Sequence, residues 1–142
     1  MFTGEYRHSV DEKGRVAIPS RLRGPLEEGA LVSRWIDACL ALFPRAAWDA
    51  FAMKVDALPF TEAGARNFTR FLYSSAFEVD LDRQGRIVIP PGLRDWAGLR
   101  GEAVLVGNRD HIELWEPQRW SDYSGAMNSP EVLAAHLQDL RL

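Results

Sequence analysis

Residues 11–23 read DEKGRVAIPSRLR, and residues 82–94 read DRQGRIVIPPGLR. In register, Asp11 meets Asp82, Gly14 meets Gly85, Arg15 meets Arg86, Ile18 meets Ile89, Pro19 meets Pro90 and Arg23 meets Arg94. A second block follows one residue out of step. CLALFPRAAW (39–48) matches HIELWEPQRW (111–120), with Leu42 on Leu114 and Trp48 on Trp120. Two matched blocks in the same order mark an internal duplication.

Each half carries the same local signals. RVAIP and RIVIP are β-branched runs ended by proline, so each predicts a short strand. The preceding Asp-x-x-Gly-Arg is turn chemistry, because Asp bonds nearby backbone and Gly accepts positive φ. YRHSV (6–10) and FEVDL (77–81) are expected to form the other arm of a local hairpin. ALVSRW (30–35), EAVLVGN (102–108), CLALF and HIELW predict further strands. Pro19 and Pro90 open helical turns through Leu22 and Leu93.

Helical spacing appears between the halves. Trp48, Phe51, Met53, Val55 and Leu58 share one pattern, which Pro59 breaks. A second helix then carries Phe68, Phe71 and Leu72. After the second matched block, SGAMNSPE (124–131) is expected to interrupt the helix. A last helix runs from Ser129 to Leu140, with Ser129 as N-cap and Pro130 at its first position. The division is residues 1–58 for the first repeat with its helix, 59–74 for a connecting helix, 75–121 for the second repeat and 122–142 for a C-terminal helix. The fold class is α+β. Four short strands leave open edges, whereas two similar halves can interleave into one pseudo-twofold β-barrel flanked by helices.

The chain of 142 residues has a formal net charge of −3 and a single cysteine, Cys39. No intrachain disulfide is possible, which suits a reducing, cytoplasmic setting. No apolar run reaches the length of a membrane span, and the N-terminus lacks the layout of a signal peptide. Charge is unevenly placed. Residues 11–23 hold four cations against two carboxylates, and residues 82–94 hold three against one, so each is locally +2 within an acidic chain.

These residues resemble the MraZ family, bacterial transcription regulators built from tandem SpoVT/AbrB-like modules. The likeness covers the Met-Phe-x-Gly start (Met1, Phe2, Gly4), the doubled Asp-x-x-x-Arg signature, Ser-Ala-Phe-Glu (75–78), Leu-Val-Gly (105–107) and Glu-Leu-Trp (113–115). One departure is Pro91-Gly92 where the first repeat has Ser20-Arg21, which thins the second basic patch. The resemblance implies a swapped-hairpin barrel and ring-shaped homo-oligomers. It also implies repression of the cell-division and cell-wall gene cluster through direct repeats in promoter DNA, hence a nucleoid-associated protein.

The residue chemistry suits double-stranded DNA. Lys and Arg neutralise phosphates, and Arg paired with guanine is the commonest base contact. Lys13, Arg15, Arg83 and Arg86 are the candidate DNA contacts, with Arg7 and His8 behind them. Asp11, Gly14, Asp82 and Gly85 are expected to shape the loops. Arg21, Arg23 and Arg94 stand open between helix-surface charge and phosphate clamp. Apolar Trp35, Phe60, Phe68, Phe71, Trp96 and the C-terminal helix exceed what one small barrel covers, which predicts self-association.

Other classes are less well served. The Asp-Thr-Gly of aspartic proteases is absent, as are glycine-rich nucleotide loops. Cys39 and His111 occupy equivalent repeat positions but open matching strands. The three histidines are scattered, so neither a metal site nor a cofactor is expected. An antitoxin-type interaction module is the remaining alternative, since single modules of this kind often wrap a partner with a disordered tail.

Overall fold

A computed structural model of the chain describes residues 1–141. Each half contributes four strands. The first half supplies β1 (Glu5–Ser9), β2 (Arg15–Ala17), β3 (Ala30–Arg34) and β4 (Leu40–Pro44). The second supplies β5 (Phe77–Val79), β6 (Arg86–Val88), β7 (Glu102–Asn108) and β8 (His111–Trp115). Helices α1 (Arg45–Asp56) and α2 (Ala63–Tyr73) follow the first set. Helix α3 (Pro91–Ala97) follows β6, and α4 (Pro117–Met127) and α5 (Pro130–Leu140) end the chain.

Six strands form one antiparallel sheet in the order β1-β7-β8-β4-β3-β5, and β2 pairs with β6 as a separate ribbon. The expected local hairpins do not form as such. Between the arms of the first there is one isolated bridge, Val10 to Val16, and the arms find their strand partners in the other half. β1 lies along β7, with Tyr6 opposite Leu105, and β5 lies along β3, with Phe77 opposite Val32. An alternating strand reports which face is buried but not which copy of a duplicated partner it will join.

The registers define a pseudo-twofold axis. Val16 stands opposite Ile87, its repeat equivalent, while Arg15 faces Val88 and Arg86 faces Ala17. In the sheet Leu40 faces Leu114, Leu42 faces Ile112 and Ala41 faces Glu113, again equivalents across a centre. Sheet and ribbon enclose one core. Val16, Ile18, Ile87 and Ile89 meet Val32, Leu40, Leu42, Leu105, Ile112 and Leu114 there, all essentially inaccessible to water. Fully burying such a side chain contributes about 1.5–3 kcal/mol, so the crossing of the halves is the main source of stability.

A second cluster packs α1 and α2 on the outer face of the sheet through Leu31, Phe43, Trp48, Val55 and Leu72. Part of the apolar surface expected to be open is therefore used within the chain. Trp35 packs edge-on to Phe43 and Phe51, and Trp96 packs against Phe71. Phe60 is 79% exposed, and Leu133, Leu137 and Leu140 of α5 are open to water. Helix α4 runs through Ser124–Met127, where an interruption is expected from sequence. Glu116 caps it by accepting from Gln118 N and Arg119 N, and Trp120 and Tyr123 pack on Trp115. That packing outweighs the cost of Gly125, on the order of 1 kcal/mol. Ser129 caps α5 as expected, accepting from Val132 N at 3.2 Å.

A fragment ending at Tyr73 lacks β7 and β6, the partners of β1 and β2, and β8, one of the two partners of β4. It should be unfolded, or folded only as a dimer that rebuilds the axis from two copies. Sedimentation combined with circular dichroism checks this, and a folded monomeric fragment would contradict it.

Candidate nucleic-acid interface

The two Asp-x-x-Gly-Arg turns close in the same way. Asp11 Oδ1 accepts from Lys13 N at 3.0 Å and Arg15 N at 2.9 Å, and Oδ2 accepts from Arg15 Nε. Asp82 Oδ1 accepts from Gln84 N at 2.8 Å and Arg86 N at 2.9 Å, and Oδ2 accepts from Arg86 Nε at 2.8 Å. Backbone hydrogen bonds to both carboxylates, chiefly from Arg15 N and Arg86 N, hold them below the ordinary Asp range against the opposing effect of desolvation. A depressed folded-state value means that these bonds are at full strength above the ordinary carboxylate range. They are lost only as acid titrates the carboxylates below it.

Each aspartate thus shapes the turn and aims one arginine. Among the described residues, Arg15 and Arg86 are hydrogen-bonded through Nε alone on their side chains, which leaves both terminal amino groups of each guanidinium unengaged. The outer face of the ribbon carries Arg15, Ala17, Arg86 and Val88, with Val16 and Ile87 pointing into the core. Two arginines therefore stand diagonally across a narrow ribbon, separated by small apolar groups.

The loops are also bound to each other. Ile18 N donates to Gly85 O at 2.9 Å, and Ile89 N donates to Gly14 O at 2.8 Å, extending the ribbon at both ends. Arg23 reaches across from the first half to lie on Gly85 of the second. Arg94 reaches back to lie on Gly14 of the first. Each is anchored in its own half, Arg23 Nε on Ile18 O at 2.7 Å and Arg94 Nε on Ile89 O at 3.0 Å. Their guanidinium planes roof the opposite turn, so neither is a free helix-surface charge. The sequence marked both positions as repeated but held no sign of where the side chains go.

Glycine is required at both turns on two counts. Gly14 and Gly85 have φ of +82° and +75°, a region that opposes a Cβ. A Cβ at Gly14 would also lie 2.6 Å from Ile89 O, and one at Gly85 would strike the Arg23 guanidinium.

Lys13 and Arg83 are exposed at the loop tips, and among the described residues neither forms an ion pair. Arg21 is exposed on the turn after Pro19. Arg7 is committed to Glu102 at 3.0 Å across β1–β7, and His8 is half-buried on β1. Gln84, at the tip of the second loop, was not singled out from sequence. Its alignment with Lys13 was the available signal.

Cys39 and His111 do not form a reactive pair. Burial, then Glu113 and Asp37, push the Cys39 thiol far above its ordinary range, so it is a neutral packing group that donates to Ile36 O. Burial acts to lower the pKa of His111, but hydrogen bonds to Glu113 and Asp110 raise it overall, and its ring stacks on Phe43. Among the described residues, no three His, Cys, Asp or Glu side chains gather as a metal site, and no helix is long and apolar enough to cross a membrane.

The glycine positions give a stability test. Gly85→Ala should lose about 1–2 kcal/mol from the left-handed backbone alone. Gly64→Ala on α2, where a Cβ meets nothing within 4 Å, should gain about 0.5–1 kcal/mol. Urea unfolding followed by tryptophan fluorescence reads both, and equal effects would remove the steric account of the turn.

Comparison with known proteins agrees with the duplication. A family model described as "MraZ protein, putative antitoxin-like" matches twice, over residues 1–71 and 72–139. The chain is 44% identical over 142 residues to the "Transcriptional regulator MraZ" of Roseiflexus castenholzii, covering 99% of each chain. It is 42% identical over 141 residues to that of Syntrophomonas wolfei, again 99% of each. It is 46% identical over 120 residues to that of Herpetosiphon aurantiacus, 84% of each. Matched in both halves by one family model and along nearly its whole length by such relatives, the chain belongs to the MraZ family.

Proposed function

We propose that this chain is a DNA-binding transcriptional regulator, a repressor that grips promoter DNA with its paired Asp-x-x-x-Arg loops. The observation that carries this reading is the placement of Arg15 and Arg86. Each is tethered by Nε to an aspartate, with its terminal amino groups unengaged. A guanidinium held in that way is prepared for a two-pronged contact with guanine or phosphate at little further loss of freedom. Lys13 and Arg83 add phosphate contacts from the loop tips, and a two-stranded ribbon fits the major groove. The relatives carry the name of transcriptional regulators, which supports the same reading. The proposed place of action is the nucleoid, on direct repeats that control cell-division and cell-wall genes.

One chain offers few cations, so affinity is proposed to come from a ring of copies. Leu133, Leu137 and Leu140 are exposed on α5 at spacings that share a helix face. Trp35, Ile36, Phe51, Leu58 and Phe68 line an apolar groove at a different place on the chain. A contact between two unlike surfaces is head-to-tail and closes into rings when the rotation allows. Subunits in such a ring present their loops in one sense along DNA, which suits direct repeats about one helical turn, 10–10.5 base pairs, apart. The antitoxin-type alternative draws on the antitoxin-like description of the matching family and on the same open face of α5. A small protein that co-purifies tightly with the chain and occupies that face would favour it.

Arg15→Ala and Arg86→Ala should each weaken binding to the chain's own upstream DNA by about 1–3 kcal/mol with unchanged circular dichroism. Titration by fluorescence anisotropy measures this, and full affinity in both variants would defeat the loop assignment. Inserting about 5 base pairs between repeats should cripple binding, while a full turn of about 10 should be milder. Gel shift compares the two, and equal binding would mean that subunits read DNA independently.

A further inference from the structure

The two loops are held alike but tipped differently. Lys13 N and Gln84 N each donate to Oδ1 of their aspartate, at 3.0 and 2.8 Å, so both residues occupy the same point of the turn. Both are exposed, and neither side chain has a hydrogen-bond partner among the described residues. The preceding residue is Glu12 in one loop and Arg83 in the other.

Ribbon geometry sets a minimum distance between the tips. Gly14 is bonded to Ile89 and Gly85 to Ile18, so four residues of strand separate the two glycines along the ribbon. That is about 13 Å between the glycines, or roughly four base pairs at 3.4 Å per pair, and the tips, one residue beyond each glycine, lie farther apart than this. The pseudo-twofold relation turns one tip over with respect to the other, so they face complementary strands. Lysine bonds O6 and N7 of guanine, whereas glutamine bonds N6 and N7 of adenine in a two-pronged contact.

We infer that Lys13 and Gln84 determine specificity and make the base element under one chain directional. Lys13 reads guanine at one end, and Gln84 reads adenine on the complementary strand, no nearer than about four base pairs away. The inference rests on the reading of the loops as the DNA contact. Glu12 reinforces the difference, because its carboxylate repels phosphate beside Lys13, while Arg83 attracts it beside Gln84. Two identical tips on a twofold axis would read a palindrome, which has no direction. Unlike tips give each element a head and a tail, so copies following one another in one sense require every repeat to point the same way.

The test is selection from a library of random DNA duplexes, using the full-length protein and two variants. The unaltered protein should enrich an element with guanine at one end and adenine at the other. Lys13→Gln should convert the guanine end to adenine and make the element palindromic. Gln84→Lys should convert the adenine end to guanine, with the opposite palindrome. Each variant should lose about tenfold in preference for the replaced base. If both variants enrich the same bases as the unaltered protein, the tips read nothing and this inference is overturned. Arg15→Ala separates the two levels. If it leaves retention on the enriched DNA unchanged, the loop reading itself fails, whatever the tip variants do.

Discussion

Neither half of this chain can complete its own strands, and that constraint governs the rest of the structure. β2 has three residues and finds its partner only in β6, while β1 and β5 each run along the sheet of the other half. Crossing brings Val16 onto Ile87 over a dry core. The backbone bonds from Ile18 to Gly85 and from Ile89 to Gly14 follow from the same crossing. The loops are placed by it as well, because each turn leads directly into one strand of the ribbon. Fold stability and loop geometry are thus one problem with one solution.

Much of this was legible in the residues. Duplication at Asp11/Asp82 and Leu42/Leu114 announced four strands per half, and the prolines after RVAIP and RIVIP marked where two of them stop. The turn chemistry was equally plain, down to the aspartate that organises it. What stayed hidden was partnership. Tyr6 and Phe77 carry the alternation of a half-buried strand, but a duplicated sequence offers two chemically similar partners for each. Choice between them depends on whole-chain closure, which no local pattern records. Arg23 and Arg94 were visible as repeated positions, but their destinations over the opposite glycines depend on that same crossing. Helix α4 outran its expected stop at SGAMNSPE because Trp120 and Tyr123 meet Trp115, a contact without a local signature.

The symmetry is imperfect in instructive places. Ala41 and Glu113 face each other at the centre of the sheet, and only Glu113 is polar. It accepts from Asn108 and Trp115 and bonds His111, and these hydrogen bonds hold its pKa below the ordinary range despite burial. The position equivalent to His111 in the first half is filled by the neutral, buried Cys39. α5 follows α4 as α2 follows α1, but α2 buries Leu72 whereas α5 buries no residue, and its open leucines mark one end of the chain as different from the other. Such differences turn a symmetric scaffold into one with two distinguishable sides.

The exchanged arginines have a consequence for synthesis. The first loop has its roof only once Arg94 is in place, and that residue emerges from the ribosome long after Gly14. A chain still being translated, or one cut short by a premature stop, therefore carries an unfinished loop. A product ended before Arg94 also lacks β7 and β8, so the first loop, β1 and one edge of β4 all wait for the same late stretch of chain.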